Sequence, residues 1–344
     1  MQDHGMRKSP RAGVPDMTAA SAESRSWLRP FIGMLSPFGA QGRLTILIFH
    51  RVHEQPDPLF PTAMHASAFR ERMQWVRSWF NVMPLDDAVA ALANGSIPAR
   101  ALAITFDDGY ANNYTVALPI LRQLGLHATF FIASGFLDGG QMWNDTLIEA
   151  IRRSEYSELD FSALGLGRYK LDSFDARRLA IMTILTQLRY LSPSVRQQQA
   201  DAIAKLAGRS LPRDLMMTRT QVRGLASIGM GIGGHTVSHP ILARVDDETA
   251  QREIADGRDA LEEIVRQSVK LFAYPNGKPG ADYTAAHVAM VRKLGLSAAV
   301  STAPGAARVG DSLHELPRFT PWDATRARWG WKLTKNLTRG VRVA

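Results

Sequence analysis

The sequence predicts an α/β fold, a barrel of parallel strands surrounded by helices. Short apolar runs alternate with stretches of helical periodicity along most of the chain, which is typical of a parallel sheet covered by helices. About seven such strand–helix units favour a barrel over an open sheet. At 344 residues, the chain is long enough to bury the core that a barrel of this kind needs.

The first units occupy residues 44–133. Apolar runs predict strands at 44–49, 81–83, 101–105 and 127–133, and helical spacing of apolar residues predicts helices at 66–79, 85–94 and 111–124. Gly95 and Gly125 directly follow two of these helices, where a glycine in the left-handed region commonly ends a helix.

The strand–helix pattern resumes near residue 218, where Thr218 is a suitable N-cap. The predicted elements are a helix at 218–228, a weak glycine-rich strand to about 233, a helix at 247–267, strands at 269–273 and 297–300 around a helix at 281–294, and a last strand at 315–319. Between about 140 and 215 only helices are predicted, at 142–153, 175–190 and 194–207, with an irregular connector at 159–174. We interpret this stretch as a helical insertion in the barrel.

The two ends differ from the barrel in composition. Residues 1–40 are polar and rich in Gly, Pro and Ser, so we expect a disordered or loosely packed segment before a barrel at 41–322. The tail at 323–344 is basic, with no acidic residue after Asp323. In it Trp329, Leu333 and Leu337 stand at helical spacing, which predicts a short amphipathic helix. That helix would either pack on the barrel or make a peripheral contact with an anionic membrane surface.

Composition and charge exclude several functions. The chain has no cysteine, so a metal site must be built from His, Asp or Glu. The net charge of +9 comes largely from the tail rather than from a basic face across the fold, which argues against nucleic-acid binding. The longest apolar run, LTILIF, is far too short to cross a bilayer, and the N-terminus lacks the apolar centre of a signal peptide. We therefore expect a cytoplasmic protein, either free or at the inner face of the membrane.

Polar side chains follow five of the predicted strands. In a parallel barrel the C-terminal ends of the strands meet at one rim, where active sites are built. The residues at these positions are His50, Asp107 with Asp108, His235 with His239, the segment from Tyr274 to Gly277, and Arg318 within the last strand. Their convergence on one rim predicts a catalytic site there.

The aspartate pair and the histidine pair together predict a metal centre. His235 and His239 stand four positions apart, a spacing that in a helical turn puts both imidazoles on one face. A carboxylate with two imidazoles is a common ligand set for Zn²⁺ or a similar cation. One aspartate would bind the metal, and the other would take a proton from the metal-bound water. Alternatively, one aspartate caps the following helix and the histidines are unrelated polar side chains.

These motifs resemble a known family. TFDDGY (105–110), HTVSHP (235–240) and FAYPNG (272–277) are similar to the polysaccharide deacetylases of carbohydrate esterase family 4, in particular the FAYP-type branch that acts on exopolysaccharides. The resemblance covers roughly residues 44–320. It implies a distorted, TIM-like (β/α)₇ barrel and a metal-dependent hydrolase, for which Zn²⁺ is the expected divalent metal. The implied reaction is removal of N-acetyl groups from N-acetylglucosamine-type sugars of a chitooligosaccharide or exopolysaccharide.

The resemblance also implies roles for individual residues. Asp107 would be the general base, and Asp108, His235 and His239 the metal ligands. The backbone N–H of Asn276 would help to hold the oxyanion of the tetrahedral intermediate.

The chain departs from the family pattern at two points. Ala273 stands where many members carry an arginine that orients the catalytic aspartate, and we expect Arg318 to do this from another strand. The family's Leu-x-His motif, which supplies the general acid, is not clearly present. His50 and His314 are the candidates, and His50 is favoured because it lies directly after a strand.

Aromatic residues near the motifs are candidates for stacking on sugar rings. They are Tyr110, Tyr274, Trp143 and Trp322. Packing in the core is an equally good interpretation for each of them.

Two other functions stay open at this point. The same machinery could act on another substrate, as an amidase or an O-acetyl esterase. The chain could also be a catalytically inactive glycan-binding homologue, since the usual arginine and a clear acid are missing. Metal content together with acetate release would separate these alternatives.

Overall fold

The computed structural model describes residues 28–344. Its helices are α1 (Leu28–Leu35), α2 (Ala66–Trp79), α3 (Leu85–Asn94), α4 (Leu118–Gln123), α5 (Trp143–Arg153), α6 (Phe174–Leu188), α7 (Pro193–Ala207), α8 (Arg219–Ser227), α9 (Asp247–Val265), α10 (Ala285–Lys293) and α11 (Arg326–Leu337). Its strands are β1 (Arg43–Phe49), β2 (Asn81–Val82), β3 (Ala101–Phe106), β4 (Thr129–Ile132), β5 (Glu158–Asp160), β6 (Arg168–Lys170), β7 (Gly231–Gly234), β8 (Leu271–Ala273), β9 (Ala298–Val300) and β10 (Ala307–Arg308). A π-helical turn, Asn113–Ala117, precedes α4.

One curled sheet forms the centre of the fold. Its strand order is β10-β1-β3-β4-β7-β8-β9, and β2 pairs with the start of β3. All of these pairs are parallel except β1 with β10. Every residue of β3 is buried, as expected for a strand inside a parallel sheet with helices around it. The predicted α/β class and the distorted (β/α)₇ barrel are thereby confirmed.

The segment that closes the barrel between β9 and β1 is not a regular strand. The sequence predicts a strand at 315–319, but a 3₁₀ turn occupies Leu313–Glu315 and an extended segment follows. Leu316 makes a bridge to Val300, while the Phe319 N–H donates to the carbonyl of Ile46. Pro317 interrupts any continuous ladder because it has no N–H to donate. The barrel is therefore closed by isolated hydrogen bonds, and Arg318 points inward from this segment.

Residues 140–215 form a compact unit beside the barrel, with α5, α6 and α7 around a small apolar core that includes Leu147, Phe161 and Ile184. The expectation of helices with an irregular connector is wrong at one point, because β5 and β6 form an antiparallel hairpin there. Leu159 and Leu171 on this hairpin are buried against the helices, which explains why the connector is ordered.

The two ends of the described chain pack on each other and on the barrel. Leu28 and Ile32 of α1 are buried. The expectation of a disordered or loosely packed segment is therefore wrong for residues 28–35. The predicted tail helix is α11, and its stripe of Trp329, Leu333 and Leu337 is fully buried. Residues 1–27, which carry the rest of the expected N-terminal segment, lie outside the described residues. Within residues 28–344, every helix is too short or too polar to cross a bilayer.

Candidate active site

A cavity of about 370 Å³ opens at the C-terminal ends of the barrel strands. The insertion forms its outer wall. It is lined by His50, Asp107, Asp108, Met142, Trp143, Asn144, Met182, Leu185, Thr186, Arg189, Arg196, His235, His239, Asn276 and Thr302. Six side chains predicted for the site therefore share this cavity with Trp143, one of the predicted stacking residues.

Asp107 forms a two-pronged ion pair with Arg318 on the floor of the cavity. Arg318 Nη1 donates to Oδ1 at 2.6 Å, and Nη2 donates to Oδ2 at 2.7 Å. The guanidinium is itself held by the Ser301 carbonyl and the Thr105 hydroxyl. Burial alone would raise the pKa of Asp107, but the charge of Arg318, helped by His235, holds it below its ordinary value. Asp107 is thus a fixed, ionised carboxylate. Arg318 makes the contact with it that the sequence analysis expected.

Asp108, His235 and His239 form a three-residue group with the composition of a metal site. Their ligand atoms all lie within 4.8 Å of one another. Each histidine Nε2 is 3.4 Å from Asp108 Oδ1, which is buried and accepts no well-aligned hydrogen bond. A buried carboxylate oxygen facing two imidazole nitrogens is an arrangement that a divalent cation would complete, and these residues therefore fit such a metal.

One imidazole is oriented for metal binding by a hydrogen bond, and the other is neutral. Against the opposing effect of burial, the carboxylates of Asp108 and Asp107 raise the pKa of His235. His235 Nδ1 donates to the carbonyl of Ala273 at 2.7 Å, which leaves Nε2 free to bind a cation. Burial, with the charges of His235 and His50, lowers the pKa of His239 to about 4, so this ring is neutral at pH 7. A neutral imidazole is the form that ligates metals.

The segment that carries both histidines is a loop, not the helical turn that their spacing suggested. It follows β7, and the backbone of Thr236 (φ 65°) and of His239 (φ 53°) is left-handed. The Thr236 hydroxyl accepts from the His239 N–H at 3.0 Å. Glu253 of α9 reaches under the loop and accepts from the N–H groups of Val237 and Ser238, at 2.9 and 2.8 Å. The two imidazoles come together because this loop folds back on itself and Glu253 holds its backbone.

Asn276 also lines the cavity, and its backbone is left-handed (φ 57°), as is that of Asp108 (φ 75°). Non-glycine residues held in this region are strained and concentrate at functional sites. Thr302 donates its hydroxyl to the Asn276 carbonyl at 2.7 Å, and Arg189 donates to the Asn276 side chain at 3.0 Å. Within residues 28–344 the Asn276 backbone N–H has no hydrogen-bond partner, so it remains available to a bound group.

Of the two candidate acids, only His50 lines the cavity. His50 follows β1 and is exposed there beside Asp107 and Asp108. His314 lies on the outer side of the closing segment, where its Nε2 bonds to the carbonyl of Leu296 and its Nδ1 faces Arg292. It is not among the residues that line the cavity.

Two of the predicted stacking residues are core residues instead. Tyr110 is buried and donates its hydroxyl to Asp145 at 3.0 Å. Tyr274 is fully buried, stacks on Tyr283 at 3.8 Å between ring centroids, and donates to the His314 carbonyl. Neither lines the cavity, so the expectation that they contact sugar is wrong. Tyr110 packs in a small cluster with Ala133 and Met142, and Tyr274 packs with Phe272 and Tyr283.

The other two aromatic candidates are accessible. Trp143 is half-buried in the cavity wall, with the Arg196 guanidinium 4.8 Å from its ring centroid. Trp322 is 62% exposed and lies outside the cavity.

The sequence analysis missed Glu253 and every cavity residue of the insertion except Trp143. Arg189 and Arg196 are the charged members of the missed wall. No local pattern marks them. Arg189 directly follows α6, and for Arg196 helix periodicity shows which face of α7 is apolar but not which element that face approaches. Glu253 could have been noticed only as an acid on the helix that follows the histidine loop.

The comparisons with known proteins agree with this geometry. A family model described as polysaccharide deacetylase matches residues 94–158 and 191–299, just over half of the chain. Among curated proteins, the chain is 20% identical over 278 residues to YxkH of Bacillus subtilis (strain 168). YxkH carries the provisional name of a polysaccharide deacetylase. That match covers 80% of this chain and 70% of YxkH.

Solved structures share the fold. The Streptococcus pyogenes deacetylase PplD, in complex with acetate, aligns with a TM-score of 0.56 at 19% identity, over 86% of this chain and 99% of PplD. IcaB from Ammonifex degensii aligns with a TM-score of 0.53 at 19% identity, over 86% of this chain and 98% of IcaB. At 19% identity this similarity shows a shared fold and does not show a shared activity.

Proposed function

The chain belongs to the polysaccharide deacetylase family of carbohydrate N-deacetylases, and from that premise we propose that it is a metal-dependent N-deacetylase of N-acetylglucosamine-type sugars. Its substrate in this proposal is a poly- or oligosaccharide of the chitooligosaccharide or exopolysaccharide kind. The observation that carries the proposal is one cavity in which an Asp–His–His group stands next to a carboxylate held by a buried arginine. The two halves of a hydrolytic site, a metal set and a base, are thus together.

Asp108, His235 and His239 are the residues that would hold the cation. Zinc is the proposed metal, because one carboxylate and two imidazoles are ligands that it accepts readily. When bound, the cation would polarise the acetamide carbonyl and lower the pKa of water at the site. Asp108 is then a ligand, which leaves Asp107 as the carboxylate free for proton transfer.

Asp107 acts as the general base in this proposal. Its carboxylate accepts a proton from the attacking water, and Arg318 keeps it oriented during that transfer. The carbonyl oxygen of the acetamide gains negative charge as water attacks. The Asn276 backbone N–H, which faces no partner within the described chain, donates to that oxygen.

His50 serves as the general acid. Breakage of the carbon–nitrogen bond leaves the sugar with an amine that needs a proton. His50 is the cavity-lining histidine outside the metal group, and its ring is exposed there. Trp143 offers a half-exposed ring against which a sugar can stack.

The alternatives from the sequence are less well supported. The suspicion of an inactive glycan-binding homologue rested partly on Ala273, and Arg318 now occupies the place of the missing arginine beside Asp107. No contact in the cavity specifically favours an O-acetyl ester or another amide over an acetamido sugar.

Acetate release from a panel of N-acetylated oligosaccharides tests the proposal. Zinc-loaded protein should release acetate, and a chelator should stop it. Asp107→Asn should keep zinc but lose about 10²- to 10⁴-fold in turnover, the range for a general base, whereas Asp108→Asn should lose zinc itself. Sugar binding without acetate release from any substrate would contradict the proposal and favour the binding homologue. Turnover that survives both the chelator and Asp107→Asn would contradict the mechanism.

A location in the cytoplasm, with peripheral contact at the inner membrane face, completes the proposal. The apolar stripe of α11 is buried, so such contact would depend on exposed side chains of this helix, among them Arg328, Lys335 and Trp331. Binding to vesicles of phosphatidylglycerol and phosphatidylcholine that weakens with salt would support it. Recovery of the protein solely from the periplasm on cell fractionation would overturn it.

A further inference from the structure

Arg196 is a buried cation in the wall of the catalytic cavity. It is 5% exposed, and it makes no ion pair with any acidic residue in the described part of the chain. Its Nη1 donates to the Arg189 carbonyl at 3.2 Å, and its guanidinium lies over the Trp143 ring. Its Nε is buried and has no hydrogen-bond partner.

Such a group is costly unless something pairs with it. Taking a guanidinium out of water without an anionic partner is unfavourable, and buried charges in proteins are normally paired. Burial lowers the pKa of Arg196 to about 10, which still leaves the side chain charged at neutral pH. The neighbouring ring and one carbonyl compensate only part of this cost. A missing anionic partner is the simplest reason for a charged side chain to be kept here.

Arg189 places a second cation on the same wall. It is half-buried and lines the cavity, and its Nη2 donates to the neutral side chain of Asn276. The carboxylates of the cavity are already engaged, since Asp107 pairs with Arg318 and Asp108 belongs to the metal group. No carboxylate of residues 28–344 therefore neutralises either Arg189 or Arg196.

We propose that Arg196 and Arg189 form an anion-binding subsite, and that the glycan substrate carries a carboxylate or phosphate group close to its acetamido sugar. This inference rests on the proposed function, because it names a property of the same substrate. Guanidinium groups bind carboxylates and phosphates through two parallel hydrogen bonds, and Arg196 Nε is free to supply one of them. A neutral chitooligosaccharide would leave this charge unpaired.

Part of the subsite lies in a stretch that the family model does not match. Arg189 falls between the matched residues 94–158 and 191–299, as do the cavity residues Met182, Leu185 and Thr186. This part of the wall lies in the gap between the two matched stretches, whereas Arg196 lies within the second of them. Selection among substrates is therefore more readily located here than in the Asp–His–His group.

Acetate release from matched substrate pairs tests the subsite. Each pair contains an N-acetylglucosamine oligosaccharide with a neutral neighbouring sugar and its counterpart with either a hexuronate or a phosphate monoester on that neighbour. Zinc-loaded full-length protein should show a kcat/KM roughly tenfold to a hundredfold higher for an anionic member, the range of one charged hydrogen-bonded contact. The two kinds of anionic substrate distinguish a carboxylate from a phosphate.

Variants assign the preference to the two arginines. Arg196→Gln should bring the ratio of kcat/KM values close to one, mainly through the KM of the anionic substrate, and Arg189→Gln should reduce it in the same direction. Lys205→Gln removes one exposed charge from α7 outside the cavity and should leave the ratio unchanged. The melting temperature of each variant shows whether it is folded. If Arg196→Gln does not fold, Arg189→Gln provides the test.

The outcomes separate this inference from the proposed function. Equal turnover of neutral and anionic members, with acetate released from both, would overturn the anion subsite and leave the deacetylase intact. If no member releases acetate, calorimetry with the same ligands decides: tighter binding of the anionic members that is lost in Arg196→Gln supports the subsite. Equal affinity, or none, overturns it.

Discussion

Arg318 and Asp107 are 211 positions apart in the chain, yet they share two hydrogen bonds of 2.6 and 2.7 Å on the buried floor of the cavity. The arginine comes from the irregular segment that closes the barrel, and the aspartate follows a central strand. The last segment of the barrel thus supplies the group that orients the proposed base, although the motif position at Ala273 has no side chain able to do so.

Arg318→Met should lower kcat/KM for acetate release by about 100-fold or more, because small displacements of a catalytic group have effects of that size. Zinc content should be unchanged, since the metal group does not include Arg318. Arg318→Lys is the matched control for charge. It keeps the cation but cannot form both hydrogen bonds, so it should also be impaired. Normal activity in either variant would show that Arg318 does not orient the base.

Metal binding should stabilise the fold. A ligand that binds only the folded state adds about 2.7 kcal/mol to the free energy of unfolding at 100 times its Kd. Urea denaturation with and without zinc should show a gain of that order in the unmodified protein and none in His239→Ala. A gain that persists in His239→Ala would place the zinc elsewhere.

Glu253→Ala should weaken zinc binding by about tenfold to a hundredfold, the usual effect of removing a group that supports a ligand. Its carboxylate accepts from the Val237 and Ser238 N–H groups between the two histidines, and this holds the loop in shape. Competition with a chromophoric chelator measures the affinity. Glu263→Gln removes an exposed acid from the same helix and should leave the affinity unchanged. If the two variants bind zinc equally well, the loop does not depend on Glu253.

Asp145 should make the stability depend on pH. Burial raises its pKa to about 7, against the opposing effects of Arg51 and of the Tyr110 hydroxyl. The unfolded chain has an Asp pKa of about 3.9. The folded state therefore holds the proton more tightly, and the resulting stabilisation is complete below about pH 4 and is lost as pH rises through about 7.

Asp145→Asn isolates this effect. Because one pKa unit corresponds to about 1.4 kcal/mol, the metal-free protein should lose up to roughly 4 kcal/mol relative to Asp145→Asn between pH 4 and pH 8. Urea denaturation of both proteins at several pH values measures the difference. A difference that stays constant with pH would show that Asp145 is ionised in the folded protein throughout this range.

The parts of the fold that follow from local pattern were predictable. The alternation of apolar runs with helical spacing indicated the barrel. The paired motifs at Asp107–Asp108 and at His235–His239 lie directly after strands, so a rule about strand ends placed them on one rim. The position of the tail helix α11 followed from the spacing of Trp329, Leu333 and Leu337.

Only the tertiary structure decided how distant segments meet. From the sequence, Tyr110 and Tyr274 were equally compatible with sugar stacking and with core packing. The packing of neighbouring elements buries both. Nothing in the sequence marks Arg196 as a cavity residue, because only the fold brings α7 to the strand ends. Side-chain periodicity reports which face of an element is apolar, but the partner of that face depends on how the sheet curls and where it closes. The sequence therefore determined the barrel and the residues at its rim, whereas tertiary packing determined the wall of the cavity and the charge that it presents.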